Sequence, residues 1–498
     1  MQLTVLQGTE QKTVTCVPGD TVLQTLVKHG ISLPAACGGN GLCGKCRFRR
    51  IHGTLKEPPG KDGWYLACRT HPLSDCVIEI PASGGAFAVL TETGAQTGDL
   101  SQAADRDFGI AVDIGTTTIA MALTGRQTGK IYRTYTAVNS QRQFGADVIA
   151  RIDAANKGNL AKLQKSVRED IERGITQLTD NAPPVSGVAI AANTTMIHLL
   201  MGYDCSTLGV YPFTPFTTDS IHTDLWFEPQ IPVWVLPSVS TFVGADILSG
   251  LYASDFEANG KNCLFIDLGT NGEMVLGNKD RAVCTSVAAG PAFEGGNITC
   301  GTGSIDGAIC DVHMAMADGH LQIDCETIGH APPCGICGTG VVAAVAELSR
   351  LRLLDETGLL DDTLQDGVLL CRTPDGEPIT LYQKDIREIQ LAKSAVRAGI
   401  ETLIRAYGIT LSQIDCVLLA GGFGHTLSVD SAVQIRMFPA ALAHKIRPVG
   451  NSALEGAIKA LARPDAQTVM EKIKSVCSEI TLSNDPAFQD LFMEYIYF

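Results

Sequence analysis

Apolar positions along this chain fall into two rhythms. Near the start, LTVLQG and KTVTCV alternate apolar and polar residues and predict the two strands of a hairpin. TVLQTLVKHG then has helical spacing, led by Asp20 as the expected capping residue, and CRFRRIHG and CVIEIP supply two more strands. The stretch from Ala82 to Asp107 is small, polar and weakly patterned, as a linker is. From Phe108 the pattern changes. FGIAVDIGTTTIAMAL predicts a buried strand, a tight Gly/Thr turn and a second strand, and NCLFIDLGTNGEMVLG repeats the plan later in the chain.

Aligned without a gap, DIGTTTIAMAL (Asp113–Leu123) and DLGTNGEMVLG (Asp267–Gly277) agree in the order strand, Asp, Gly-Thr turn, strand, which marks an internal duplication. ADVIARIDAANKG and LAKLQKSVREDIERGITQLTD have helical spacing, while GVAIAANTTM and WVLPSVSTFVG predict buried strands ending in polar turns. LAKSAVRAGIETLIRAYG predicts a strong helix, IDCVLLAGGFG a strand running into a glycine turn, and GNSALEGAIKALA a helix capped near Asn451 or Ser452. The expected organisation is residues 1–81, a linker at 82–107, then two α/β halves at 108–260 and 261–498 with helices on both faces of mixed sheets.

Composition narrows the class of protein. The chain has 498 residues, 45% of them hydrophobic and 18% charged, as in a globular protein with a sizeable core. A net charge of −15 disfavours nucleic acid and anionic membrane as partners. No apolar run approaches the ~20 residues of a membrane helix. The 17 cysteines, odd in number and scattered through apolar strands with no signal-peptide pattern, point to a reducing cytoplasm rather than a disulfide framework.

Four of those cysteines carry chemistry. Cys37, Cys43 and Cys46 lie in AACGGNGLCGKC with C-x5-C-x2-C spacing, and Cys68 follows in YLACRT. Four thiolates so arranged suit a 2Fe–2S cluster. Zinc sites more often use two separated pairs, whereas here three cysteines crowd one loop containing Gly38, Gly39, Gly41 and Gly44. Glycines let such a loop wrap a cluster and aim backbone N–H groups at its sulfurs. With its flanking strands and helix, the segment from Met1 to Pro81 resembles a β-grasp ferredoxin domain of the adrenodoxin-like spacing.

The duplicated D-x-G-T turns suggest a phosphate clamp. Gly115 and Gly269 admit close backbone approach, and Thr116, Thr117, Thr118, Thr270 and Asn271 offer donors. Asp113 and Asp267 are suited to Mg²⁺ shared with phosphates. Gly421 and Gly422 in LAGGFGHTLSV follow a strand and would let a nucleoside lie against backbone. These three elements resemble the phosphate-1, phosphate-2 and adenosine motifs of the acetate and sugar kinase, chaperone and actin superfamily.

Adding GPAFEGGNI (Gly290–Ile298), NTTMIHLLMG (Asn193–Gly202), TFVGADILSGL (Thr241–Leu251), GICGTG (Gly335–Gly340) and VGNSALEGA (Val449–Ala457), nearly the whole chain resembles the reductive activators of corrinoid enzymes. That resemblance implies an α+β and α/β multidomain protein, a β-grasp 2Fe–2S ferredoxin domain followed by a duplicated actin-like ATPase domain. It implies ATP and Mg²⁺ as ligands, a corrinoid protein of a methyltransferase system as partner, and an upstream electron donor. Asp246 or Glu273 would orient the hydrolytic water. A homodimer stays open, and some longer members carry an extra middle domain where only the linker stands here. The same parts would suit an ATP-driven electron donor to another low-potential enzyme, or a metabolite kinase with a ferredoxin-like regulatory module.

Other residues read more plainly. Cys334 and Cys337, with Cys300, Cys310 and Cys325 nearby, are expected to be small buried residues rather than a second metal site. Cys16 and Cys76 fall outside the ligand spacing. His198 and His425 are expected to be structural, and FQDLFMEYIYF to pack as a terminal helix or strand.

Overall fold

The computed structural model describes residues 1–7, 10–29, 31, 33, 41, 46–60, 63–80, 100 and 103–498. Strands β1 (Gln2–Gln7) and β2 (Glu10–Thr15) form the expected hairpin, followed by helix α1 (Val22–Lys28) and strands β3 (Arg47–His52), β4 (Tyr65–Leu66) and β5 (Cys76–Ile80). They make one mixed sheet in the order β2-β1-β5-β3-β4, with β1 parallel to β5. Val22 and Leu26 of α1 bury against Leu3, Phe48 and Ile78 in a core confined to this domain. The cap of α1 differs from expectation. Thr21 Oγ1 accepts from Gln24 N at 3.1 Å and Gln24 Oε1 accepts from Thr21 N at 2.9 Å, a reciprocal capping box. Asp20 lies one residue too early to reach those amides and pairs with Lys28 instead.

The remainder holds two six-stranded sheets. The first contains β6 (Phe108–Ile114), β7 (Thr118–Gly125), β8 (Ile131–Val138), β9 (Val185–Ala192), β10 (Ile221–Asp224) and β11 (Pro232–Val235), in the order β10-β11-β9-β6-β7-β8. The second begins with β12 (Cys263–Leu268), β13 (Gly272–Asn278) and β14 (Arg281–Val287). The chain then adds a three-stranded sheet of β15 (Ala308–Ala317), β16 (His320–Thr327) and β17 (Gly335–Ile336), and a pair, β18 (Val368–Arg372) and β19 (Pro378–Leu381). It completes the second sheet with β20 (Cys416–Ala420), β21 (Ile446–Gly450) and β22 (Cys477–Glu479), in the order β21-β20-β12-β13-β14-β22.

The duplication is visible at sheet level. In one half the antiparallel run β6-β7-β8 has β9 parallel beside β6; in the other, β12-β13-β14 has β20 parallel beside β12. The two hairpins are not in gapless register, however. Asp113 pairs across the strands with Ala120, whereas Asp267 pairs with Glu273. The first turn is one residue longer, so the ungapped alignment slips after it, and Glu273 has an alanine as its counterpart.

Among the described residues eleven further α-helices complete the fold: α2 (Val148–Ala154), α3 (Leu160–Thr179), α4 (Thr194–Met201), α5 (Ala245–Ala253), α6 (Gly338–Arg350), α7 (Gln383–Tyr407), α8 (Gly422–Thr426), α9 (Val429–Gln434), α10 (Ser452–Ala462), α11 (Ala466–Val476) and α12 (Pro486–Glu494). α5 and α10 cross closely, since a Cβ on Gly456 would stand 2.0 Å from Ser249 O and one on Gly250 2.7 Å from Ser452 Oγ. Leu454, Ala457, Met470 and Ile473 of α10 and α11 join the core built around the first sheet. The boundary between 260 and 261 thus separates the sheets, while residues 452–476 return to the first. The terminal aromatic segment packs as a helix: Phe488 and Phe492 lie against the second core, and the buried Lys393 of α7 donates to Tyr495 O at 2.6 Å. Among the described residues no helix is long and apolar enough to cross a membrane.

Candidate nucleotide and electron-transfer sites

Five strand ends converge on one cleft. In the β6–β7 turn Gly115 N donates to Thr118 O at 2.9 Å, and in the β12–β13 turn Gly269 N donates to Asn271 O at 2.9 Å. The third is the turn after β20. There Gly421 has φ +87° and ψ 158°, and a Cβ would stand 2.8 Å from Asp267 Oδ1, so glycine is required for the turn to close on the aspartate. β9 ends at Asn193 and β21 at Asn451, each capping the helix that follows. Asp113, Gly115, Thr116, Thr117, Thr118, Asp246, Asp267, Gly269, Thr270, Asn271, Glu273, Gly421 and Gly422 all line this cleft.

Its electrostatics are dominated by four half-buried carboxyls lining the cleft. Burial pushes Asp113 up to about 7; Asn451 opposes this by donating a hydrogen bond, and the Asp246 charge adds to it. Burial, then the charges of Asp246 and Asp113, push Asp267 up to about 7. Asp246 rises to about 6 through burial, moderated by the Ile247 amide at 2.8 Å. Glu273 lies well above the usual range through burial and the charges of Asp246 and Asp267. Among the described residues no Lys or Arg lines the cleft to offset them. This oxygen-rich, cation-poor donor set fits a hard divalent ion. Among the described residues no three His, Cys, Asp or Glu side chains are arranged as a ready metal cage. Mg²⁺ would therefore be held partly through water and phosphate oxygens, its usual mode.

Several cleft residues were not singled out from the sequence. Glu294 Oε2 accepts from Thr117 Oγ1 at 3.2 Å and from Thr270 Oγ1 at 2.8 Å. Asn451 Nδ2 donates to Asp113 Oδ2 at 2.9 Å while its Oδ1 caps α10. Asn193 Nδ2 donates to Thr116 Oγ1 at 3.3 Å. Arg151 of α2, wholly buried, donates to Thr116 O at 2.5 Å behind the first turn. Phe293 and Phe423 stack with centroids 4.6 Å apart, making an apolar wall beside Gly421 and Gly422. Asn451 was visible as a cap and Glu294 stood inside GPAFEGGNI. Their partners lie far away in sequence, so local pattern could not reveal the contacts.

Of the four expected cluster ligands, Cys37 and Cys43 lie outside the described residues. Cys46 and Cys68 flank the β3–β4 pair, where Arg47 faces Leu66 and Ala67 N donates to Cys46 O at 2.8 Å. Cys46 is buried and Cys68 half-buried. The next residue, Arg69, lies against Gly41 of the glycine-rich loop: Gly41 has φ +74°, and a Cβ there would overlap the guanidinium. Cys46 at the start of β3 and Cys68 just beyond β4 are thus brought to one strand pair, a placement that suits two ligands of one cluster.

The other cysteines divide: Cys300, Cys310 and Cys325 are only half-buried, against the expectation of burial. Cys16 and Cys76 are buried in the ferredoxin core. Cys337 is buried beside Ile309 O and Thr339 Oγ1, each at 3.2 Å, but Cys334 is exposed, contrary to the expectation of burial. Its strand-flanking position after Pro332 and Pro333 leaves it at the surface. His198 Nδ1 lies 2.7 Å from Thr194 O and Nε2 accepts from Phe216 N at 2.8 Å, a satisfied structural histidine. The side chain of His425 lies outside the described residues.

Comparison with known proteins bears directly on this architecture. Residues 5–73 match a 2Fe-2S iron-sulfur cluster binding domain, 108–259 the RACo middle region, and 261–498 the C-terminal domain of RACo, the ASKHA domain. A region described as the middle one is thus present, and it coincides with the first sheet and its helices. Corrinoid activation enzyme RamQ of Eubacterium limosum is 33% identical over 417 residues, spanning 78% of this chain and 69% of that one. The [Co(II) methylated amine-specific corrinoid protein] reductase of Methanosarcina barkeri is 26% identical over 397 residues, 73% of this chain and 70% of its own. The solved structure of a reductive activator for corrinoid,iron-sulfur protein superposes with a TM-score of 0.73 at 28% identity, covering 99% of this chain and 98% of the other. With a ferredoxin domain followed by paired six-stranded sheets of an ASKHA-type fold, the chain belongs to the family of RACo-type reductive activators of corrinoid proteins.

Proposed function

We propose that this protein reactivates a corrinoid protein of a methyltransferase system in the cytoplasm, reducing its cobalt substrate from Co(II) to Co(I) by one electron at the expense of ATP. The observation that carries the reading is the union, in one chain of this family, of Cys46 and Cys68 on a ferredoxin sheet with a carboxylate-rich cleft between duplicated Gly-Thr turns. When held by Cys37, Cys43, Cys46 and Cys68, a 2Fe–2S cluster supplies single electrons, with plant-type potentials near about −400 mV. Each 100 mV of uphill transfer costs about 2.3 kcal/mol per electron. Nucleotide-dependent coupling free energies of about 1–3 kcal/mol lie in that range.

In this reading Asp113 and Asp267 hold Mg²⁺ against the phosphates. The backbone of Gly115 and Gly269 and the side chains of Thr116, Thr117, Thr118, Thr270 and Asn271 hold the phosphate oxygens. Gly421 and Gly422 seat the nucleoside against the wall made by Phe293 and Phe423. Asp246 and Glu273 are the carboxylates available to orient the attacking water. Because the two Gly-Thr turns belong to different sheets, a phosphate gripped by both sets how those sheets sit against each other. That rearrangement is a means of altering the surface met by the corrinoid protein. An upstream carrier must reload the cysteine-bound centre after each turnover.

The direct test is to oxidise a corrinoid protein to inactive Co(II), add the reduced protein with MgATP, and measure methyl transfer. Recovery that needs both ATP and the reduced protein supports the reading. Failure with every corrinoid protein of the same organism sinks it.

A further inference from the structure

Glu294 stands where two donors from opposite halves of the cleft meet. A single oxygen, Oε2, accepts from Thr117 of the first turn at 3.2 Å and Thr270 of the second at 2.8 Å. The seat is furnished for an anion from behind as well. Arg151 is wholly buried, and its guanidinium donates to neutral acceptors: Gly145 O, Thr116 O, Gln141 Oε1 and Met196 Sδ. Burial lowers Arg151 to about 9, with the nearby Arg142 cation adding to that, while the charges of Asp147 and Glu294 oppose it. The carboxylate is delivered by a short turn, Pro291–Glu294, bounded by Gly290 at φ +77° and Gly295 at φ +71°, where a Cβ on Gly295 would overlap Thr302 O. Glycine at both ends is what lets so short a turn enter the cleft.

We infer that in the nucleotide-free protein the Glu294 carboxylate occupies the place of the terminal phosphate of ATP, tying the two halves together until that phosphate displaces it. The inference rests on the nucleotide reading above. The nucleoside lies at Gly421 and Gly422, so the phosphate reaching both Thr117 and Thr270 is the one farthest along the chain. ADP, lacking it, leaves Glu294 in its seat. Glu294 is therefore a positioning residue that sets the preference between ATP and ADP: ATP binding breaks two charge-assisted hydrogen bonds that ADP binding leaves intact.

Calorimetric titration of the full chain with the Mg²⁺ complexes of ADP and of the non-hydrolysable β,γ-imido analogue of ATP tests this. Glu294→Ala and Glu294→Gln should raise the affinity ratio of the triphosphate to ADP by roughly tenfold, the size of one hydrogen bond to a charged group. Glu294→Asp keeps the charge but is one methylene too short to reach both hydroxyls, and should move the ratio the same way by less. It also covers the case in which a neutral variant fails to fold. A ratio that stays constant, with both nucleotides affected alike, makes Glu294 merely structural and overturns the inference. A ratio that falls makes it a ligand of the nucleotide and overturns it too. A wild-type protein that binds neither nucleotide overturns the site itself, which is a distinct result.

Discussion

Asn451 joins Asp113 across 338 residues of chain, its amide Nδ2 donating to the carboxylate at 2.9 Å while its Oδ1 caps helix α10. One side chain thus ties the turn after β21 to the β6–β7 hairpin. Two substitutions separate its roles. Asn451→Ala removes the cap as well as the donor and should cost about 0.5–2 kcal/mol of stability, seen in thermal melts. Asn451→Asp keeps a capping oxygen but sets a further carboxylate against Asp113. Its melting temperature should recover selectively on adding Mg²⁺. Equal behaviour of the two variants with and without Mg²⁺ would contradict the assignment.

The cleft's carboxyls predict a definite pH dependence. Asp113 and Asp267 lie near 7 and Asp246 near 6, against about 4 in an unfolded chain. Folding therefore favours their protonated forms. The stability they contribute is full below the unfolded value and is lost as pH rises through about 6–7. In chelator, the melting temperature should fall across that window, and excess Mg²⁺ should restore it. Mg²⁺ affinity should rise with pH over the same interval, because the ion displaces protons. Calorimetry showing a flat Mg²⁺ affinity there would refute the shared-carboxylate site.

Gly421→Ala should disable the nucleotide site while leaving the ferredoxin domain intact. The backbone at φ +87° and ψ 158° is nearly reserved for glycine, and holding a residue with a side chain there costs about 1–3 kcal/mol. The added methyl would also press on Asp267 Oδ1 from 2.8 Å. The expected outcome is a lost MgATP titration with unchanged iron–sulfur absorbance.

The two chemistries should separate cleanly, because among the described residues the ferredoxin core shares no buried residue with the other two. Cys68→Ser should abolish the cluster's visible spectrum and leave ATP hydrolysis standing. One of Asp246→Asn and Glu273→Gln should do the reverse. Whichever of the two lowers kcat at least about tenfold with little change in KM is the residue acting on the attacking water.

Much of this site was legible in the sequence because turn chemistry is local. Asp-x-Gly-Thr after an apolar strand states both the hairpin and its donors, and the second copy made the pairing of halves readable. The diglycine at Gly421 and Gly422 was equally explicit. Contacts made through the third dimension were not. Glu294 meets Thr117 across 177 residues, and Arg151 reaches Thr116 from a helix whose spacing indicated only an amphipathic face. The slipped register of the two hairpins escaped notice because a one-residue difference in turn length leaves the apolar pattern almost unchanged. At α1, Thr21 and Asp20 are both good capping types, and only the helix start at Val22 decides between them.

The central claim is that ATP in this cleft drives an electron from the cysteine-bound centre to cobalt. Rapid mixing of the pre-reduced protein with a Co(II) corrinoid protein, recording Co(I) formation and iron–sulfur reoxidation together, tests it most directly. The account predicts that both signals appear with equal amplitude and a common rate, and only with MgATP. Reoxidation at the same rate and extent without nucleotide, or Co(I) formation without reoxidation, would contradict it.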